Sequence, residues 1–98
     1  MTIAIHIKFY SDAGHGWAKV SKQFLARLGI EKKITSYSYE RGDYAYLEED
    51  CDVSTLCKAA EANDYKIMWD EQPQANHSRI RSYEPYHTAD GSVYQYQW

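Results

Sequence analysis

The fold is decided by the stretch Tyr37-Ser38-Tyr39-Glu40-Arg41-Gly42-Asp43-Tyr44-Ala45-Tyr46. On each side of an Arg-Gly pair, tyrosine alternates with a smaller or polar residue, which is typical of a β-hairpin. With a two-residue loop at Arg41-Gly42, the sequence predicts that Tyr39 faces Tyr44 and that Tyr37 faces Tyr46. Because side chains alternate along a strand, the four tyrosines then share one face of the hairpin. This tyrosine ladder is either a packing surface or a binding surface.

Four further elements are predicted around the hairpin. Alternating apolar residues from Ile3 to Phe9 indicate a first strand, and Tyr65, Ile67 and Trp69 indicate a last one. Between them, one helix is expected to begin after the N-cap Ser21 and to end at Gly29. The other helix is expected to begin after Asp50 or Asp52 and to end near Asn63.

The resulting order, β-α-β-β-α-β, predicts an α+β domain of the split, ferredoxin-like type, with two helices on one face of an antiparallel sheet. The apolar face beneath the helices is expected to contain Ile3, Ile5, Ile7, Ala45, Leu47, Ile67 and Trp69. The tyrosines then lie on the opposite face. The predicted core covers residues 1–71.

Residues 72–98 form a predicted C-terminal extension that folds back across the tyrosine face. Within it, Ser78 to Tyr83 alternate like a strand and Asp90-Gly91 is a turn signal. Tyr94, Tyr96 and Trp98 alternate after that turn.

Composition narrows the class of protein. The chain has 98 residues, enough for one modest core, and a net charge of −3, so no basic field attracts nucleic acid. No apolar run is long enough to cross a membrane, and the N-terminus lacks a signal-peptide layout, so an intracellular protein is expected. Cys51 and Cys57 are expected to be free, buried thiols.

The loop from Asp12 to Trp17 is the most site-like segment. His15 lies between two glycines, on backbone that can approach a ligand closely, and Asp12 is near enough in sequence to orient it as a general base. The competing interpretation is a connecting loop in which Asp12 makes a turn hydrogen bond and Trp17 fills the edge of the core.

Charged residues suggest a second candidate surface. Glu48, Glu49, Asp50 and Asp52 place four carboxylates in five residues where a strand ends and a helix begins. Three roles are open for these carboxylates: they cap the helix that follows, they bind a cation, or they form a docking patch for a basic partner. Arg79 and Arg81 are expected to form internal salt bridges with this acidic cluster or to hold a phosphate. No zinc-ligand spacing, phosphate-binding loop or nucleophile motif appears, so neither a metal nor a cofactor is expected.

Several short patterns support a resemblance: Ser11-Asp12-x-Gly14-His15-x-Trp17, Tyr37-Ser38-Tyr39, Tyr46-Leu47-Glu48-Glu49-Asp50-x-Asp52 and Ile80-Arg81-x-Tyr83. Together they resemble small uncharacterised proteins of bacteriophages and prophages. The resemblance implies expression in the cytoplasm of a bacterial host. It also implies an association with inhibitors of host defence, including anti-CRISPR proteins.

Binding rather than catalysis is therefore expected. The predicted partner is a bacterial protein, such as a nucleic-acid-binding defence complex, contacted through Glu48, Glu49, Asp50, Tyr37, Tyr39, Tyr44, Tyr46, Arg79 and Arg81. The alternative is a small enzyme or ligand-binding protein that uses Asp12 and His15. Direct binding of nucleic acid and membrane association are not expected, and exposed tyrosines are compatible with a homodimer.

Overall fold

The computed structural model describes residues 1–87, which form a mixed sheet with two α-helices. In chain order the elements are β1 (Ile3–Ser11), β2 (Gly16–Ser21), α1 (Lys22–Arg27), β3 (Tyr39–Arg41), β4 (Tyr44–Glu48), α2 (Val53–Ala62), β5 (Tyr65–Glu71) and β6 (Glu84–Pro85). A short 3-10 turn, Arg79–Ser82, precedes β6. The strand order is β5-β1-β2-β4-β3-β6. The turn predicted at Asp90-Gly91 and the alternation of Tyr94, Tyr96 and Trp98 lie outside the described residues.

The α+β class agrees with the prediction, but the sheet gains a strand that the sequence analysis missed. Gly16–Ser21, for which the sequence analysis predicts no strand, forms β2 and pairs antiparallel with both β1 and β4. Side chains of β2 alternate between the two faces of the sheet: Ala18 and Val20 join the core beneath the helices, and Trp17 lies on the opposite face. The sheet is also mixed rather than antiparallel throughout, because β5 runs parallel to β1.

The hairpin forms with a register different from the predicted one. Tyr39 faces Tyr46 and Arg41 faces Tyr44, so the two-residue loop is Gly42-Asp43. Gly42 has φ 59°, which suits the first central position of a type II′ turn and leaves Arg41 in the strand. Tyr37 precedes β3 and does not pair with Tyr46.

Both ends of α1 match the sequence signals. The Ser21 hydroxyl accepts a hydrogen bond from Phe24 N at 3.1 Å, as an N-cap does. At the other end Gly29 adopts φ 75°, and Ile30 N donates to Leu25 O at 3.0 Å. Neither α1 nor α2 is long and apolar enough to cross a membrane.

The main core lies between the helices and one face of the sheet. Its buried residues are Ile7, Ala18, Val20, Leu25, Leu28, Ile30, Ile34, Ala45, Leu47, Leu56 and Tyr86. Two predicted core residues are instead exposed, Ile3 at 54 % and Trp69 at 42 %. Ile3 begins β1 at the end of the sheet and Trp69 lies on the edge strand β5, so each has fewer neighbours to cover it.

A second cluster covers part of the opposite face and includes the chain after β5. Ile80 packs with Trp17 and Tyr46, and all three are buried. The segment around Ile80, predicted to be strand-like, turns as a 3-10 helix because the Ser78 hydroxyl accepts from Ile80 N.

From this face the chain passes around the β3 edge of the sheet. Glu84–Pro85 pair with β3 as β6, and the next residue, Tyr86, enters the main core on the helix side. The Tyr86 hydroxyl donates to Glu31 O at 2.6 Å, and burial raises the pKa of this side chain to about 12. The segment 78–86 therefore contributes to both clusters.

A buried carboxylate ties the segment before β3 to the start of α2. Asp52 occupies the N-cap position, but its side chain does not cap the helix. It accepts instead from Thr35 N, from the Thr35 hydroxyl at 2.8 Å and from the Ser38 hydroxyl. Ser38 Oγ in turn accepts from Glu48 N at 2.8 Å. Burial raises the pKa of Asp52 against the lowering effect of these donors.

We predict that Asp52→Ala lowers the free energy of unfolding by about 3 kcal/mol, because it leaves several buried donors without an acceptor. Urea denaturation followed by circular dichroism measures the loss. Asp50→Ala, two residues away at an exposed position, is the matched control and should change stability by less than about 0.5 kcal/mol. Equal effects of the two substitutions would contradict this role for Asp52.

Candidate functional site

A cleft of about 280 Å³ opens where four segments meet: the β1–β2 loop, the segment before β3, the turn after β4 and the 3-10 turn. Its walls combine aromatic, acidic and basic side chains: His15, Trp17, Tyr37, Tyr39, Glu48, Asp50, Cys51 and Arg81. The cleft therefore brings together residues from both ends of the described chain.

Asp12 fixes one wall of the cleft. Its carboxylate accepts from the main-chain N–H groups of Gly14, His15 and Ser78, each at 3.0 Å. Arg81 adds two hydrogen bonds, from Nε at 2.6 Å and from Nη2 at 2.8 Å. The hydrogen bonds from Arg81 and Ser78 hold the pKa of Asp12 well below its usual range. Asp12 thus holds the segment 78–81 against the β1–β2 loop.

The predicted acid–base pair of Asp12 and His15 does not form through the side chains. Asp12 reaches only the main-chain N–H of His15. The imidazole Nδ1 lies instead 3.3 Å from Oε1 of Glu48. Sequence proximity suggested the wrong carboxylate, because pairing of β2 with β4 places Glu48 opposite Trp17, close to the loop.

Glu48 holds the opposite wall. It is buried, and its Oε2 accepts from the main-chain N–H groups of Asp50 and Cys51, each at 2.9 Å. Burial, followed by the hydrogen bond and the charge of Glu48, raises the pKa of the Cys51 thiol to about 11. Cys51 is thus a poor nucleophile at neutral pH. Like Cys57, it is a free, partly buried thiol.

Within residues 1–87 two groups have the geometry to hold a cation: Glu40, Glu84 and His87 at the β3–β6 edge, and, in the cleft, His15, Glu48 and Asp50. Each residue offers one ligand atom, and the atoms of each group lie within 4.8 Å of one another. The set in the cleft combines one imidazole nitrogen with two carboxylate oxygens, donors that suit zinc or manganese better than magnesium. Asp52, the last residue of the acidic run, does not belong to this set, because Thr35 and Ser38 occupy its oxygens.

Trp17 forms the floor of the cleft. Its ring lies 5.5 Å from the Arg81 guanidinium and 6.5 Å from the Tyr39 ring. The indole Nε1 is buried and finds no acceptor among residues 1–87. The neighbouring Gly16 packs under Phe9 so closely that a Cβ would lie 2.6 Å from the Phe9 ring. The glycine thus serves packing rather than the approach of a ligand.

The structure divides the predicted partner-binding residues. Tyr37, Tyr39, Glu48, Asp50 and Arg81 line the cleft. Glu49 is exposed beside them.

The remaining predicted residues lie elsewhere. Tyr46 is buried in the second cluster, and Tyr44 is exposed where Lys19 Nζ lies 4.3 Å from its ring. Arg79 lines a different cavity, together with Tyr10 and Tyr46. The four tyrosines therefore do not form one open face.

The sequence analysis gave the Trp17 side chain a role only at the edge of the core, and it did not place Cys51 in the site. Trp17 could have been found from its position directly after the Gly-His-Gly loop, whereas no local signal marks Cys51.

Comparison of the chain with protein-family models, with curated protein sequences and with solved structures found no match.

The Asp12–Arg81 pair predicts an acid-dependent loss of stability. Because the folded-state pKa of Asp12 lies below its ordinary value of 3.8, the unfolded chain binds the proton more readily. The stabilisation from Asp12 is therefore present above this value and is lost as pH falls through and below it.

We expect the free energy of unfolding of the wild type to fall more steeply than that of Asp12→Asn as pH drops below 3.8. Arg81→Gln should show a slope between those of the wild type and Asp12→Asn, because the main-chain donors to Asp12 remain. Asp43→Asn, at an exposed turn position, should follow the wild type. Urea titrations across the acid range measure the slopes. A wild-type slope in Asp12→Asn would show that Asp12 is not the group responsible.

Proposed function

We propose that this chain is a non-catalytic interaction protein, encoded by a phage or prophage, that binds and inhibits a bacterial defence or regulatory protein. The proposed contact surface is the cleft with its acidic rim. The observation that carries the proposal is the pair of exposed carboxylates, Glu49 and Asp50, beside the aromatic walls of the cleft. Neither carboxylate forms an ion pair within the described part of the chain.

The charge balance of the cleft favours a cationic group. Arg81 is neutralised by Asp12 at 2.6 Å, so its positive charge does not dominate the site. Glu48 is satisfied by two main-chain N–H groups and by His15. Among residues 1–87, Asp50 remains without an ion pair on the wall of the cleft. An ammonium or guanidinium group entering the cleft gains from this charge and from the faces of the aromatic rings.

The size of the cleft suits a single side chain. Its volume of about 280 Å³ lies just below the range of ordinary small-molecule pockets, ~300–1,000 Å³. A lysine or arginine on a partner surface is therefore the proposed occupant. Proteins that handle nucleic acid carry such basic surfaces, and acidic residues around the cleft would steer the encounter. This chemistry fits the expected class of target.

The first experiment captures partners from a bacterial lysate with three immobilised proteins. These are the wild type, Glu49→Lys/Asp50→Lys, and a control with equal charge change at exposed positions elsewhere, Asp43→Lys/Glu61→Lys. We expect one basic protein to be retained by the wild type and the control, to be lost from the cleft variant, and to elute at raised salt. Retention by all three proteins would contradict the proposed surface.

The inhibitory role is tested in bacteria that carry a nuclease-based defence system. Expression of the wild type should raise the plating efficiency of a restricted phage by about tenfold or more if most of the target is bound. Expression of Glu49→Lys/Asp50→Lys should not, although circular dichroism shows it folded. Equal protection by the defence system with and without the wild type, across the systems assayed, would refute inhibition.

A second candidate function rests on the His15–Glu48 contact. A half-exposed imidazole beside a buried carboxylate is an arrangement used by general bases and by ligand-binding sites. Binding of a small cationic ligand by this pair would replace the partner side chain in the same cleft. His15→Ala distinguishes the two functions, since it should abolish a small-ligand site but leave capture through Glu49 and Asp50 largely intact.

A further inference from the structure

The edge strand β5 is an exposed surface that the cleft does not involve. It comprises seven residues, Tyr65–Glu71, and pairs with β1 on one side. Within residues 1–87 no strand pairs with its other side. Met68 and Trp69 are 39 % and 42 % exposed. A long edge with apolar side chains and no proline or glycine is a template for pairing with another strand.

The hydrogen bonds to β1 determine which groups of β5 point outward. Ile3 N donates to Asp64 O, and Gln72 N donates to Phe9 O, each at 2.9 Å. In a parallel ladder the residues that bond to the neighbour alternate, so the even-numbered residues from 64 to 72 face β1. The N–H and C=O groups of Tyr65, Ile67, Trp69 and Glu71 therefore point away from the sheet.

We propose that β5 pairs antiparallel with β5 of a second copy of this chain, about a twofold axis at Met68. In this register Ile67 of one copy and Trp69 of the other form a hydrogen-bonded pair, as do Tyr65 and Glu71. All outward main-chain groups of the strand are then satisfied by the second copy. Because the contact is isologous, it closes as a dimer and joins the two sheets into one.

Charge complementarity favours this register over the two registers whose axis lies one residue away, at Ile67 or at Trp69. With the axis at Met68, Lys66 of each copy lies opposite Asp70 of the other, in a non-hydrogen-bonded pair where side chains approach most closely. Moving the axis to Ile67 places Asp64 opposite Asp70, which is repulsive. Moving it to Trp69 places Met68 opposite Asp70. Only the axis at Met68 pairs every charge of Lys66 and Asp70 with its opposite.

The two faces of the strand fit the same arrangement. Lys66, Met68 and Asp70 share the face away from the helices, so the axis places Met68 against Met68. Ile67 and Trp69 share the helix side, where Trp69 already packs edge-on against Phe9 at 5.8 Å. The Trp69 ring of one copy then covers Ile67 of the other. Lysine on an edge strand usually prevents pairing, but here Asp70 compensates it.

Sedimentation equilibrium tests the proposal through a charge swap. The wild type should dimerise, whereas Lys66→Asp and Asp70→Lys should each raise the dimer dissociation constant by about tenfold or more, because two attractive pairs become repulsive. The double variant Lys66→Asp/Asp70→Lys should restore the wild-type value. A wild type that stays monomeric at high concentration, or a double variant no better than the singles, would overturn the proposal.

Disulfide formation gives a second readout that reports the register. In Met68→Cys the new thiols face each other across the axis, so oxidation should yield a covalent dimer absent from the wild type. Lys66→Cys alone should not cross-link, but should do so when mixed with Asp70→Cys. Circular dichroism checks that each variant is folded. Self-cross-linking of Lys66→Cys with none of Met68→Cys would exclude the proposed register.

Discussion

The buried carboxylate of Asp52 is the constraint on which the arrangement of the cleft depends. It binds Thr35 and Ser38, and Ser38 in turn binds the main chain of Glu48. Three separate segments are thereby held at fixed distance: the approach to β3, the end of β4 and the start of α2. These segments carry one wall of the cleft. Because the Asp52 side chain binds Thr35 and Ser38, it does not cap α2. Burial also raises its pKa, which shows that the charged carboxylate is destabilised by loss of solvent. The positioning of the three segments is therefore achieved at a cost in local stability.

A second carboxylate, that of Asp12, holds the other wall of the cleft through an ion pair in addition to hydrogen bonds. Asp52 is satisfied by hydroxyl and amide donors alone, whereas Asp12 meets a guanidinium as well, and the pKa values of the two move in opposite directions. The hydrogen bonds between Arg81 and Asp12 hold the segment 78–81 against the β1–β2 loop, and Ile80 within that segment is buried on the sheet. The charges used for structure are thus paired internally, and Asp50 remains available at the rim.

Sequence signals predicted correctly those features that depend only on residues close together in the chain. Ser21 and Gly29 defined α1 correctly, because capping and left-handed closure involve only neighbouring residues. The hairpin was predicted, but its register depended on which central position Gly42 occupies, which alternation alone does not specify. The Asp12–Arg81 pair joins residues 69 positions apart, and no pattern within either segment indicates the other. The sequence analysis therefore named several residues of the cleft individually but did not predict the Asp12–Arg81 contact that brings them together.

The two edges of the sheet are treated differently, and this difference bears on how the protein could engage a partner. At one edge β6 pairs with β3, and Tyr86 continues into the core, so the chain itself covers that edge. At the other edge lies β5, whose Lys66 and Asp70 would pair with Asp70 and Lys66 of a second copy in the proposed dimer. A dimer formed there carries two identical acidic clefts in fixed relation. A target with repeated basic sites would then be held at both clefts, and its second contact would benefit from a high effective concentration. Moderate affinity at each small cleft would suffice for strong binding of such a target.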